Sequence, residues 1–259
     1  MAESLEMILS RFASISLEEM DAIRLMNRVD TKFVTDRAHL DDVLVKALDA
    51  GYRVLEADGG RLCGYDTLYY DTPGRDMYLA HHNRRLSRQK VRTRTYLGSG
   101  ATFVEIKSKD NHGRTHKKRV ALPRAAFSNA CSDAQALEFL RSRCRFAPES
   151  LSPALSTAFK RITLVNPQET ERLTIDTSLT FTDRRGGGQL DLGDGVIIEL
   201  KQDSLASSPM LGILLDERIH PLRISKYCIG SALTNPTLKQ NNFKLKTILL
   251  GKTLNRRFI

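Results

Sequence analysis

The chain has no tryptophan, and aromatic residues make up only 7% of its 259 positions. That scarcity disfavours a single-strand nucleic-acid binder, which needs aromatic side chains interleaved among its basic ones for base stacking. Four cysteines (Cys63, Cys131, Cys144, Cys228) are scattered without CxxC spacing, so neither a zinc knuckle nor a disulfide framework is indicated. A reducing cytoplasm is the simpler home for such thiols. No apolar run approaches the roughly 20 residues of a spanning helix. Met1 to Met20 holds four glutamates and no basic cluster ahead of an apolar stretch, so a signal peptide is not expected. The histidines show no ligand spacing beyond the adjacent pair His81-His82, and are read as surface or loop residues. The length suits a single domain over 1–259, with a core from about residue 24 to 233 and peripheral helical segments at 1–20 and 239–259.

Acidic residues are scarce in one place. Between Arg84 and Arg119 twelve basic residues face only Glu105 and Asp110, so this 36-residue stretch carries the whole formal charge of +10. The remainder, 28 basic against 28 acidic, is neutral. The charge is local.

Its spacing is that of strands. In Lys90-Val91-Arg92-Thr93-Arg94-Thr95-Tyr96 the basic residues fall on alternate positions and share one face of an extended chain. Phe103-Val104-Glu105-Ile106-Lys107-Ser108-Lys109 repeats the scheme, and Lys117 and Arg119 are in phase on a third segment. Gly98-Ser99-Gly100 and Asn111-His112-Gly113 read as the turns between them. Similar alternation marks residues 28–34, 159–165, 171–176 and 196–201. Amphipathic helices are expected over Leu17 to Met26, Ala38 to Leu48, Asp133 to Arg141 and Pro209 to Glu217. Two architectures satisfy this pattern. An ordinary sheet buries its apolar face and wets its charges, whereas a closed or nearly closed barrel turns the charges inward and carries helices outside. A cationic lumen would repel itself without polyanions and a few paired carboxylates, for which Glu105, Glu199, Asp30 and Asp176 are available.

The motifs resemble those of the VTC domain. They run in order as Arg28…Lys32, Leu68-Tyr69-Tyr70-Asp71-Thr72-Pro73, Lys90-x-Arg92-x-Arg94, Phe103-Val104-Glu105-Ile106-Lys107, Lys117-x-Arg119, Arg172-Leu173-Thr174-Ile175-Asp176, Ile198-Glu199-Leu200-Lys201 and Ser225-Lys226-Tyr227. VTC domains are the catalytic domains of polyphosphate polymerases in the triphosphate tunnel metalloenzyme superfamily. The resemblance implies an α+β fold, an antiparallel eight-stranded barrel with a basic lumen. It also implies an ATP- and polyphosphate-handling enzyme that uses Mn2+ or Mg2+.

Carried over residue by residue, the resemblance puts catalysis on Arg92, Arg94, Lys107 and Lys226, and metal binding on Glu199. Substrate binding falls to Lys32, Arg28, Lys117, Arg119, Arg172, Lys109 and Lys201. The superfamily's opening Glu-x-Glu-x-Lys is replaced here by Arg28-Val29-Asp30-Thr31-Lys32, which favours VTC-type members over cyclase or thiamine-triphosphatase relatives. The expected activity is transfer of the ATP γ-phosphate to a growing phosphate chain. A triphosphatase and a non-catalytic polyphosphate or nucleotide binder are the alternatives. Asp176 also fits a plain same-face ion pair with Arg172, and Tyr70-Asp71-Thr72-Pro73 fits a structural turn. Nucleic acid is the weaker partner class, and no protein partner is indicated. The C-terminal stretch from Lys239 to Arg257, with six basic residues and no acidic one, reads as a solvated amphipathic helix.

Overall fold

Alternating segments do become strands, and they join into one curled sheet. The computed structural model describes residues 3–23, 25, 28–203 and 206–258. Its strands are β1 (Ala13–Ile15), β2 (Arg28–Thr35), β3 (Arg53–Leu55), β4 (Cys63–Asp71), β5 (Arg88–Tyr96), β6 (Thr102–Lys109), β7 (Thr115–Ala121), β8 (Ser152–Val165), β9 (Glu171–Asp183), β10 (Gln189–Asp191) and β11 (Val196–Asp203). Eight of them pair antiparallel along the path β2-β11-β9-β8-β4-β5-β6-β7, with β1, β3 and β10 on its margins. The path is open. Among the described residues no ladder joins β2 to β7, so the expected closed or nearly closed barrel is a curled eight-stranded half-barrel.

Glycine permits the tightest turns. Gly100 (φ 70°) and Gly113 (φ 81°) occupy the left-handed region in the β5–β6 and β6–β7 connections, where a Cβ would strain the backbone. A bulge shapes β9. Its pairing with β8 slips between Ala158 and Lys160, and Ser178 in β9 takes φ 51°.

The helices are α1 (Leu5–Ser10), α2 (Leu17–Ala22), α3 (Arg37–Asp49), α4 (Asp76–His82), α5 (Ala134–Arg143), α6 (Pro209–Asp216), α7 (Lys226–Thr234) and α8 (Lys244–Thr253). The helix expected from Leu17 thus ends at Ala22; Arg24 and Met26 of that span lie outside the described residues. In α3 the Asp36 carboxylate caps the first turn through the His39 amide, and Leu40, Val43, Leu44 and Ala47 form the buried stripe. That stripe packs with α1, α6 and the outward residues Ile162, Leu164, Leu173, Ile175, Ile198 and Leu200 of β8, β9 and β11. A second core joins Val91, Val104 and Ile106 to Ala136 and Leu140 of α5. Apolar faces of β5, β6, β8, β9 and β11 therefore pack against helices, and the charged residues of β5, β6, β9 and β11 lie on the opposite face. The first twenty residues also contribute β1, which pairs in parallel with β3, and bury Leu5, Ile8, Leu9 and Phe12.

Helix α7 lies at one end of the concave side. Tyr227 stacks on Tyr69 with ring centroids 5.0 Å apart, and a Cβ on Gly230 would fall 2.4 Å from Phe181 and 2.9 Å from Leu155. Only glycine allows that approach. Its first turn is capped by the Ser225 hydroxyl, which holds Lys226 at the start of the helix, facing the sheet.

Two local expectations change. Tyr70 and Asp71 are not in a turn but close β4, a strand begun at Cys63. His81 and His82 belong to α4, where His82 is fully buried and Nε2 faces the Asn242 amide at 3.3 Å. Burial, with Lys90 and Arg88 nearby, pushes His81 down to about 2, so its ring is neutral. The sequence offers no spacing that separates such packed histidines from loop ones.

Candidate functional site

The concave face is organised around three carboxylates, each shared by two cations. On β6, Glu105 is 1% exposed and meets Arg92 of β5 at 2.6 Å and Lys117 of β7 at 2.5 Å. Burial opposes its ionisation, but Arg92, Arg94 and Lys117 outweigh burial and hold the carboxyl at about 2. On β9, Asp176 receives two hydrogen bonds from Arg161 of β8, at 2.6 and 2.9 Å, and one from Lys226 of α7. On β11, Glu199 pairs with Lys32 of β2 at 2.7 Å and lies 3.8 Å from Lys201. Burial works against both of these carboxylates too, yet the neighbouring cations keep them well below the usual range.

Three more cations stand on this face with no carboxylate partner among the described residues. Lys90 donates to Ser225 Oγ at 2.7 Å, and Arg94 donates to Thr67 Oγ1 at 3.2 Å. The Arg94 guanidinium lies over Tyr65 and Phe159, at 5.3 and 5.6 Å from their ring centres. Burial, then repulsion from Arg92 and Arg161, pushes Arg94 down to about 10. Lys107 is lowered by burial and by Lys32, Lys90 and Arg92, against the pull of Glu199. These influences run between β6 and the β2–β11 pair, near opposite ends of the sheet path, so the curl brings the two ends of the sheet to face one another.

Nine cations thus confront three carboxylates. Each carboxylate anchors a pair of cations, and the surplus is what an incoming polyanion would neutralise. The face therefore carries a net excess of positive charge.

A family model described as VTC domain matches residues 27–235, most of the chain. The chain belongs to the VTC domain family. No curated relative matches it by sequence. Solved structures similar to it include a candidate adenylate cyclase from Vibrio parahaemolyticus, at 11% identity and TM-score 0.46, covering 78% of this chain and 96% of that one. Another is a candidate adenylate cyclase from Bacillus halodurans, at 13% identity and TM-score 0.49, with 77% and 96% covered. A third is a Hippeastrum candidate adenylyl cyclase with a dominant triphosphatase activity, at 13% identity and TM-score 0.47, with 79% and 95% covered.

Within this VTC domain the expected residues divide. Lys32, Arg92, Arg94, Lys107, Lys117, Glu199, Lys201 and Lys226 come together on the concave face. Four others stand at its margins. Arg28 is exposed and bonded to Asp30 at 2.6 Å; Lys109 sits at the end of β6 opposite Arg88. Arg119 is exposed over Phe103 at 4.4 Å, and Arg172 donates to the Met20 carbonyl. The suggested Arg172–Asp176 pair is not formed, because β8 and β9 set Arg161 directly opposite Asp176 and leave Arg172 facing Val165. Arg161, Lys90 and Tyr69 also stand in this cluster, and sequence reasoning left them out of the candidate site. Arg161 was in phase on its strand, but nothing in one sequence ranks it above Arg172.

A divalent cation finds one lumen carboxylate that fits. Among the described residues no group of three His, Cys, Asp or Glu could hold a metal. Glu199 has one oxygen bound to Lys32 and the other only loosely approached by Lys201. That arrangement suits Mg2+ or Mn2+ only if phosphate oxygens and water complete the shell, as Mg2+ commonly accepts.

Proposed function

We propose that this VTC domain is a polyphosphate polymerase that transfers the γ-phosphate of ATP to the end of a phosphate chain. The observation that carries the reading is the state of the three lumen carboxylates. All are ion-paired and held far below neutral pKa, so none is a competent general base at pH 7. A hydrolase has to activate water, whereas a terminal phosphate oxygen arrives as an anion and needs no base. The surplus of cations supports the same choice, since two phosphate chains must share the cradle.

Phosphoryl transfer requires in-line positioning and neutralisation of charge on the equatorial oxygens. Arg92 and Arg94, two residues apart on β5, present guanidinium groups to successive phosphates. Lys90, Lys107 and Lys117 add point charges along the same face. Lys226, held by Asp176, faces them from α7. The acceptor oxygen forms a bond to the γ-phosphorus while the bond to the bridging oxygen breaks, and ADP leaves with that oxygen. A metal held by Glu199 would supply further charge neutralisation on the triphosphate.

The test is incubation of the purified chain with ATP and Mn2+ or Mg2+, followed by gel and phosphorus NMR analysis. Chain resonances and ADP support the polymerase. Orthophosphate with ADP and no chains would replace it with a triphosphatase, and binding without turnover would leave only a polyphosphate-binding module.

A further inference from the structure

Tyr69 sits in the middle of the cationic cluster, yet phosphate binding by lysine and arginine leaves it without a task. Its ring is 5% exposed, flat against Tyr227, with the Arg92 guanidinium 5.9 Å from its centre. Arg92 Nη1 donates to its hydroxyl at 3.4 Å. The groups facing that hydroxyl are Lys90, Arg92 and Arg94 from β5 and Lys226 and Tyr227 from α7. Glu105 of β6 lies behind Arg92 and is already bonded to it, and β8 offers only Leu155 in register. Among the described residues, no carboxylate or carbonyl accepts the phenol hydrogen. A hydroxyl ringed by donors can donate its hydrogen bond only to an acceptor that enters from outside, water or an anion.

We propose that the Tyr69 hydroxyl is a phosphate ligand of the cradle, donating to a non-bridging oxygen of a bound polyphosphate anion. The substrate class rests on the function proposed above. Without an anion, the surrounding cations make this phenol easier to ionise than an ordinary tyrosine, so a fraction is phenolate at mildly alkaline pH. When a polyanion enters, it neutralises those cations, and the phenolate takes one proton from solvent and returns to a donor. The electrostatics agree. Burial raises a tyrosine, as it does Tyr65 and Tyr70, both pushed up to about 12, but Arg92, Arg94 and Lys90 reverse it at Tyr69 and bring it below its ordinary value.

The experiment titrates the protein with inorganic tripolyphosphate, without ATP or metal, and follows tyrosinate ultraviolet absorbance at mildly alkaline pH. The absorbance should fall as ligand binds, with uptake of up to one proton seen as a buffer-dependent heat. Tyr69→Phe keeps the ring stack, should abolish the signal, and should weaken binding by about tenfold, the worth of one hydrogen bond to a charged group. Tyr70→Phe, whose hydroxyl faces the Phe127 carbonyl away from the cradle, should keep the signal. Circular dichroism checks the fold of each variant. Wild-type affinity in Tyr69→Phe, or a signal that survives it, overturns the inference. Chain synthesis from ATP is scored separately: binding that depends on Tyr69 without synthesis sinks the polymerase alone, and synthesis with Tyr69-independent binding sinks the Tyr69 assignment alone.

Discussion

Arg161 and Asp176 stand opposite each other across the β8–β9 ladder and are joined by two hydrogen bonds, while Lys226 approaches the same carboxylate from α7. This carboxylate ties α7 to the sheet and aims two cations at the lumen. Removing one member of a buried pair leaves the others uncompensated. Asp176→Asn should therefore destabilise the fold by about 3 kcal/mol or more, measured by urea unfolding. It should also cost phosphate affinity, because Arg161 and Lys226 would repel each other.

Arg94 predicts the opposite separation. It has no carboxylate partner, and its burial near Arg92 and Arg161 is unfavourable to the folded state. Arg94→Ala should leave the melting temperature nearly unchanged while lowering kcat/KM by about 100-fold, the loss typical of one preorganised charge contact. Arg92→Ala strips Glu105 of a partner and should lower both. If Arg94→Ala unfolds the protein as readily as Arg92→Ala, Arg94 is structural.

The alternation in β5, β6, β9 and β11 was legible because a period of two is written in residue identity. Which charges meet was not. Arg161 and Arg172 look alike in sequence, and only the β8–β9 register gives Asp176 to the first. The backbone at Ser178, with positive φ and no sequence signal of its own, reverses the phase of β9 beyond Asp176, so Phe181 comes to lie under α7. Tyr69 and Tyr70 are neighbours of one type, yet one faces the cations and the other the Phe127 carbonyl. Side assignment needed β4, which was hidden because its turn-like end, Asp71-Thr72-Pro73, dominated the local pattern.

Glu105 sets an acid limit. Its carboxyl is held at about 2 in the folded chain, below the ordinary 4.5, so it contributes stability above pH 4.5 that is lost as pH falls toward 2. That loss should be on the order of 3 kcal/mol. By pH 3 about 2 kcal/mol of it should be gone, read as the difference between wild type and Glu105→Gln in urea unfolding at pH 7 and pH 3. Glu105→Gln should be less stable at pH 7 and show a shallower pH dependence; an unchanged slope would mean Glu105 is not the titrating group.

Glu199 separates metal from phosphate. It is paired to Lys32 and approached by Lys201, so Glu199→Gln frees two cations on the cradle. Tripolyphosphate binding without metal should hold or tighten in Glu199→Gln. The additional gain from Mn2+ or Mg2+ should disappear, lowering metal-dependent turnover by about 100-fold, or roughly 3 kcal/mol of lost transition-state stabilisation. Isothermal titration with and without metal gives the two quantities independently. A metal increment that survives Glu199→Gln would remove Glu199 from the metal's shell and leave it as the anchor of Lys32.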